Sequence, residues 1–168
     1  KSWLDAVKDD GRIHGRVNTC GAVTGRMTHS SPNMAQIPSD SLYRQCFVVP
    51  EGSKLVGIDA SGLELRMLAH YMDDPEYTDL ILNGDIHTYN QKAAGLDTRP
   101  QAKTFIYAFL YGAGDAKIGS IVGGSSRKGA QLKQRFLDSL PALLKLINKV
   151  ARHGLDGSLP GLDGRRVL

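Results

Sequence analysis

The spacing of apolar and polar positions changes character along the chain. Residues 11–40 are dominated by Gly, Ser, Thr, Pro and Asn, with short β-compatible runs such as Arg12-Ile13-His14-Gly15-Arg16-Val17 between turn residues, the pattern of strands and ordered loops. The run Lys54-Leu55-Val56-Gly57-Ile58 predicts a short buried strand ending at Asp59. From Leu63 to Met72 the spacing becomes helical, with Leu63, Met67, Leu68, Tyr71 and Met72 on one face. Asp73-Asp74-Pro75 ends that helix, because Pro disfavours helix at the residue before it and has no N–H to donate. A second helix is expected from near Asp85 and a third from Thr98-Arg99-Pro100, where Thr can cap and Pro suits the first turn. The third runs through Tyr111 and stops at Gly112-Ala113-Gly114. Helical pattern returns over Ser126–Val150, interrupted near Pro141, and the tail from His153 to Gly164 is Gly-rich and loop-like. Together these elements predict an α+β fold.

Composition narrows the class. Of 168 residues, 41% are apolar and 23% charged, so the chain can bury a core and does not have the composition of a disordered segment. No stretch reaches the roughly 20 apolar residues that span a bilayer, and the first residues, Lys1-Ser2-Trp3-Leu4-Asp5, lack the apolar run of a secretory signal; no membrane partner is expected. Cys20 and Cys46 have neither CxxC spacing nor a histidine cluster beside them, which argues against a disulfide framework or structural zinc and fits a reducing, cytoplasmic setting. The net charge of +4 is unevenly spread: residues 1–98 hold 9 Lys/Arg against 13 Asp/Glu, and residues 99–168 hold 12 against 4. A basic C-terminal half points to phosphate or nucleic acid, or else to a solvated cationic face.

Arg99, Lys103, Tyr107 and Tyr111 recur every four residues, so one helix would carry all four in a stripe ~18 Å long. The two cations fall near the helix N-terminus, where free N–H groups and the macrodipole already favour anions, which makes a phosphate site. The tyrosines offer flat faces and hydroxyls suited to a sugar and a stacked base. An amphipathic helix with core aromatics and solvated cations would show the same spacing. The string Arg99-x-x-x-Lys103-x-x-x-Tyr107-x-x-x-Tyr111-Gly112 resembles the fingers-helix motif of the DNA polymerase I family. That resemblance implies that Arg99 and Lys103 bind the incoming triphosphate and that Tyr107 sets how a missing sugar 3′-hydroxyl is treated, a tyrosine implying tolerance of dideoxynucleotides. It implies Tyr111 as a stacking element near the template base, and His87, in Asp85-Ile86-His87-Thr88, as a contact to the terminal phosphates.

A second constellation is Asp59-x-Ser61-x-x-Glu64-x-Arg66. Two-metal phosphoryl transfer needs carboxylates on rigid elements; Asp59 after a strand suits that role, and the Ala60 carbonyl could add a hard oxygen ligand. Glu64 sits where a carboxylate could close the pocket against a ribose 2′-hydroxyl. An Asp in this position is also a common N-cap. The full string Gly57-Ile58-Asp59-Ala60-Ser61-Gly62-Leu63-Glu64-Leu65-Arg66 is similar to the first metal motif of the same family, closest to its phage replicative branch. Asp59 would then bind both Mg²⁺ ions with Ala60, and Glu64, with Ser61 beside the nucleotide, would select deoxynucleotides. Thr24-Gly25-Arg26 and Ser31-Pro32-Asn33-Met34-Ala35-Gln36-Ile37-Pro38 resemble the family segment along the primer–template duplex, with Arg26 and Gln36 as DNA contacts.

The resemblance implies a partial palm sheet in residues 1–70 and a mostly helical fingers subdomain from 71 to 168, its tail heading back toward the palm. It makes Asp59, Lys103 and Tyr107 the catalytic residues of template-directed DNA synthesis, with primer–template DNA and deoxynucleoside triphosphates as partners and room for a processivity factor. A non-catalytic nucleotide- or DNA-binding module and a single-subunit RNA polymerase relative stay open as alternatives, the latter opposed by Glu64. The family's His-Asp-Glu string, which supplies the second metal carboxylate, does not occur here. The chain by itself is therefore expected to bind nucleotide weakly and to turn over negligibly. The stretch between the stripe helix and Gly161 also looks shorter than in phage enzymes of this type. Dinucleotide-binding and P-loop patterns fail, because position 117 is Lys and no Gly-rich loop precedes Lys103-Thr104.

Overall fold

The computed structural model describes residues 3–167; Lys1 and Ser2, the first residues of the expected palm piece, and Leu168, the last of the tail, lie outside the described residues. The chain divides into two compact units, residues 1–59 with 158–168 and residues 60–157.

The first unit is built from short elements. Strands β1 (Arg16–Asn18) and β2 (Thr28–Ser30) pair antiparallel with Val17 opposite His29. Asp40 caps the single-turn helix α1 (Ser41–Arg44) by accepting from the Leu42 N–H at 2.8 Å. The two-residue strands β3 (Leu159–Pro160) and β4 (Arg166–Val167) close a hairpin in what the sequence suggests is a loop-like tail. No described residue of this unit is buried. The strand expected at Lys54–Ile58 does not form: the segment pairs with no other strand among the described residues, and Leu55, Val56 and Ile58 are 83%, 76% and 95% exposed. A β-run is stable only where a neighbouring strand takes up its N–H and C=O groups and a second layer covers its side chains.

The second unit is helical: α2 (Leu63–Met72), α3 (Pro75–Asn83), α4 (Ile86–Ala94), α5 (Arg99–Leu110), α6 (Asp115–Ser120), α7 (Ser126–Ser139) and α8 (Pro141–Leu155). All the buried hydrophobic residues of the described chain, from Leu65 to Leu143, belong to it. Phe105 and Phe109 of α5 meet Phe136 of α7 edge-on, with ring centroids 5.2 Å and 5.4 Å apart. Helices α6 and α7 approach so closely that a Cβ at Gly129 would run into the Asp115 carbonyl. Helix α2 has the expected span, but its buried residues are Leu65, Leu68, Ala69 and Met72, while Leu63, Met67 and Tyr71 are exposed. Leu68 and Met72 are thus covered as expected, while the rest of the burying face is turned toward Leu65 and Ala69, on a helix that packs against α3 and α8. Helix α3 was not expected from the sequence; Asp74 starts it by accepting from the Tyr77 N–H at 3.1 Å, with Pro75 in the first turn.

Helix α5 is fixed by a reciprocal cap. The Thr98 hydroxyl accepts from the Gln101 N–H at 3.3 Å and the Gln101 side chain accepts from the Thr98 N–H at 3.1 Å. Its far end stops at Tyr111, followed by Gly112 at φ 72°, a left-handed conformation that favours glycine. Ala102, Phe105 and Ile106 bury one face of α5, leaving Arg99, Lys103, Tyr107 and Tyr111 on the other.

Candidate functional site: a cationic and aromatic helix face

The outward face of α5 meets the N-terminal turns of α2 and α4. A cleft of about 240 Å³ between them is lined by Ser61, Arg66, His87, Lys103 and Tyr107, with Leu65, Ile81 and Ile86 as its apolar floor. The Lys103 side chain is exposed, and Tyr107 is half-buried with its ring 6.4 Å from the half-buried His87 ring. His87 Nδ1 is buried and has no hydrogen-bond partner among the described residues. Burial, and then the nearby Arg99 and Lys103 cations, push the His87 pKa below its ordinary value. Burial, followed by the Glu64 charge, pushes the Tyr107 hydroxyl up.

At the start of α5, Arg99 forms a two-pronged ion pair with Asp85, Nε to Oδ2 at 2.9 Å and Nη2 to Oδ1 at 3.1 Å. That pairing, helped by Thr88, holds the Asp85 carboxyl well below the usual carboxylate range. At the other end of the face, the Tyr111 hydroxyl donates to Glu64 Oε1 at 3.1 Å, joining α5 to the first turn of α2. Arg66 Nε donates to the Ser61 carbonyl at 2.9 Å and shapes the turn entering α2, where Gly62 takes φ 61°.

The structure therefore brings eight sequence-indicated residues into the helical unit: Ala60, Ser61, Glu64, His87, Arg99, Lys103, Tyr107 and Tyr111. Asp59, Arg26 and Gln36 belong to the other unit. Asp59 is exposed at the end of the unpaired run, Arg26 lies in the loop between β1 and β2 with its carbonyl accepting from the Ala22 N–H at 3.1 Å, and Gln36 ends an exposed 3₁₀ turn. Ala60 is exposed and opens the helical unit. Among the described residues no group of three or more His, Cys, Asp or Glu side chains could hold a metal ion. With one motif carboxylate, at Asp59, the donors present do not complete a two-metal site. Sequence reasoning missed Asp85 as the partner of Arg99; its position as a cap three residues before Thr88 was visible, whereas the ion pair across 14 positions was not.

Taken by itself, the α5 face combines a small cleft, two cations near its helix N-terminus and an aromatic extension, chemistry suited to an anion. Its ancestry is shown by comparison with known proteins. A model of DNA polymerase family A matches residues 2–166, and the chain belongs to that family. It is 48% identical over 198 residues to the DNA-directed DNA polymerases of Enterobacteria phage T3 and Escherichia phage T7, covering 99% of this chain and 28% of each relative. The thermostable DNA polymerase I of Thermus aquaticus is 31% identical over 184 residues, covering 98% of this chain and 22% of that protein. Among solved structures, the POL domain of Pol1 from M. smegmatis, in complex with DNA primer–template and dNTP, superposes with a TM-score of 0.77 at 25% identity, over 97% of this chain and 31% of that one. The chain thus spans less than a third of the length of these relatives. Its higher identity to the phage enzymes than to the bacterial one places it nearer the phage branch. An aligned span of 198 residues against a chain of 168 means that the phage relatives carry residues in this region that the chain lacks. Family A polymerases generally use divalent metal ions, and no helix of the described chain is long and apolar enough to cross a membrane.

Proposed function

We propose that this chain supplies the nucleotide-gripping helices and part of the DNA-contact surface of a template-directed DNA polymerase acting in phage DNA replication in the host cytoplasm. The observation that carries the proposal is the convergence of Lys103, His87 and Tyr107 on one cleft, with Arg99 at the start of the same helix. An incoming deoxynucleoside triphosphate would lie along α5, its phosphates toward Arg99, Lys103 and His87, its sugar beside Tyr107 and its base toward Tyr111. Glu64, tethered by the Tyr111 hydroxyl, would exclude a ribose 2′-hydroxyl. In this scheme the primer 3′-hydroxyl attacks the α-phosphate and pyrophosphate leaves toward the cationic end of α5, with positioning and charge neutralisation doing most of the catalysis. Residues 1–70 would belong to the palm, with Arg26 and Gln36 along the duplex, and residues 71–168 to the fingers. Asp59 and the Ala60 carbonyl would supply only part of a Mg²⁺ site, whose second carboxylate is not among the described residues. The similarity to a polymerase domain solved in complex with DNA primer–template and dNTP supports this reading.

Titration of a fluorescent deoxynucleoside triphosphate into the protein tests the proposal. Lys103→Ala should raise the Kd about tenfold, the loss of one charge-assisted phosphate contact. A Kd unchanged by Lys103→Ala would overturn the assignment.

A further inference from the structure

The Asp85 carboxylate serves two helices at once. Its Oδ1 accepts from the backbone N–H groups of His87 at 3.1 Å and Thr88 at 3.3 Å, fixing the first turn of α4, and from Arg99 Nη2 at 3.1 Å. Its Oδ2 accepts from the Thr88 hydroxyl at 2.8 Å and from Arg99 Nε at 2.9 Å. One acid therefore orients both the turn that carries His87 and the guanidinium that opens α5.

The geometry leaves Arg99 serviceable. Asp85 occupies the Nε–Nη2 edge of the guanidinium, so the two Nη1 N–H groups and the second Nη2 N–H remain to face an anion. A surface Arg–carboxylate pair contributes little to stability on its own, but a long side chain held in one orientation loses less freedom when a ligand binds. The same pair also lowers the positive charge that a phosphate would meet, so the arrangement gives up some attraction and gains orientation.

We infer that Asp85 is a positioning residue for triphosphate binding, presetting Arg99 and the His87-bearing turn of α4 as a single grip. This inference rests on the α5 face being the triphosphate site. It predicts that removing the acid weakens binding even though doing so frees a cation. An acid that merely competes with phosphate for Arg99 predicts the opposite.

The decisive experiment measures the Kd of a fluorescent dGTP derivative for the protein and for Asp85→Asn, Arg99→Ala and the double variant, with the fold checked by far-UV circular dichroism and thermal unfolding. Asn keeps an acceptor for the α4 N–H groups but cannot take both prongs of the guanidinium. Asp85→Asn should raise the Kd about tenfold, and it should add nothing further in the Arg99→Ala background. Thr88→Val, which removes one bond to the carboxylate and leaves the ion pair, should bind as the unaltered protein does; weakening equal to that of Asp85→Asn would reassign the effect to the α4 turn alone and overturn the inference. Unchanged or tighter binding by Asp85→Asn, or additive losses in the double variant, would also overturn it while leaving the triphosphate site in place. If Arg99→Ala itself binds normally, the site and the inference fall together.

Discussion

Glu64 and Tyr111 stand 47 positions apart in sequence, yet one hydroxyl joins them, so the acid proposed to gate the sugar is held by the residue proposed to face the base. Tyr111→Phe removes that tether and keeps the ring. The ratio of Kd values for a ribo- and a deoxynucleoside triphosphate should fall by up to about tenfold, the worth of one hydrogen bond to a charged group; competition binding reads it, and an unchanged ratio would show that the tether does not hold the gate. His87 offers a pH test. Its folded pKa lies below the ordinary value, so the unfolded chain takes up the proton first as pH falls. The stability linked to His87 is complete above about pH 6.5, the unfolded value, and is lost as pH falls toward the lowered folded one. Imidazole NMR should show that low midpoint in the free protein and an upward shift on triphosphate binding, since phosphate stabilises the charged ring. Asp85 behaves alike in sign but at lower pH: its contribution is present above the ordinary Asp value and is lost only as pH falls through the depressed folded one.

At the scale of elements, what the sequence made legible follows from how local each signal is. The start of α5 was readable because Thr98, Pro100 and Gln101 act within one turn, and its end because Gly112 follows Tyr111. Thr98→Ala should cost about 1 kcal/mol in denaturant unfolding, the usual worth of such a cap. The buried face of α2 is half legible: Leu68 and Met72 are covered as expected, but Leu63, Met67 and Tyr71 are as apolar as Leu65, and only the neighbouring helices decide which of them is covered. Helix α3 escaped because Asp74-Pro75 is both a stop for one helix and a start for the next. The closeness of α6 and α7 had no sequence signature beyond Gly129 itself. Gly129→Ala should destabilise the helical unit by roughly 1–3 kcal/mol or more, as overpacking does, whereas the same change at a solvent-facing glycine of α8, Gly154, should not. Equal thermal unfolding midpoints for the two variants would contradict the close approach.

Among the described residues burial is confined to residues 60–157, and the first unit is held by short hairpins and turns. Amide exchange should accordingly be slowest in α5 and α7 and fast across residues 48–60, where no strand pairing protects the backbone. Slow exchange at Leu55–Ile58 would show a strand partner that the described residues do not contain. The apolar run there reads as a buried strand because sequence shows the side chains and not their cover, and the same limit applies to Asp59, whose motif is plain while no second carboxylate joins it in a metal-holding group among the described residues. The 168-residue chain is expected to bind triphosphate without measurable primer extension; extension that Asp59→Ala abolishes would contradict that expectation.

In the proposed site the phosphates of a nucleotide meet the first turn of α5 and the N-terminus of α4. Photo-crosslinking with a dGTP derivative carrying an aryl azide on its γ-phosphate, followed by peptide mapping, tests it most directly. Labelling should fall within residues 85–103, be suppressed by unlabelled dGTP and be diminished by Lys103→Ala. Labelling elsewhere in the chain, or labelling that unlabelled dGTP does not suppress, would contradict it.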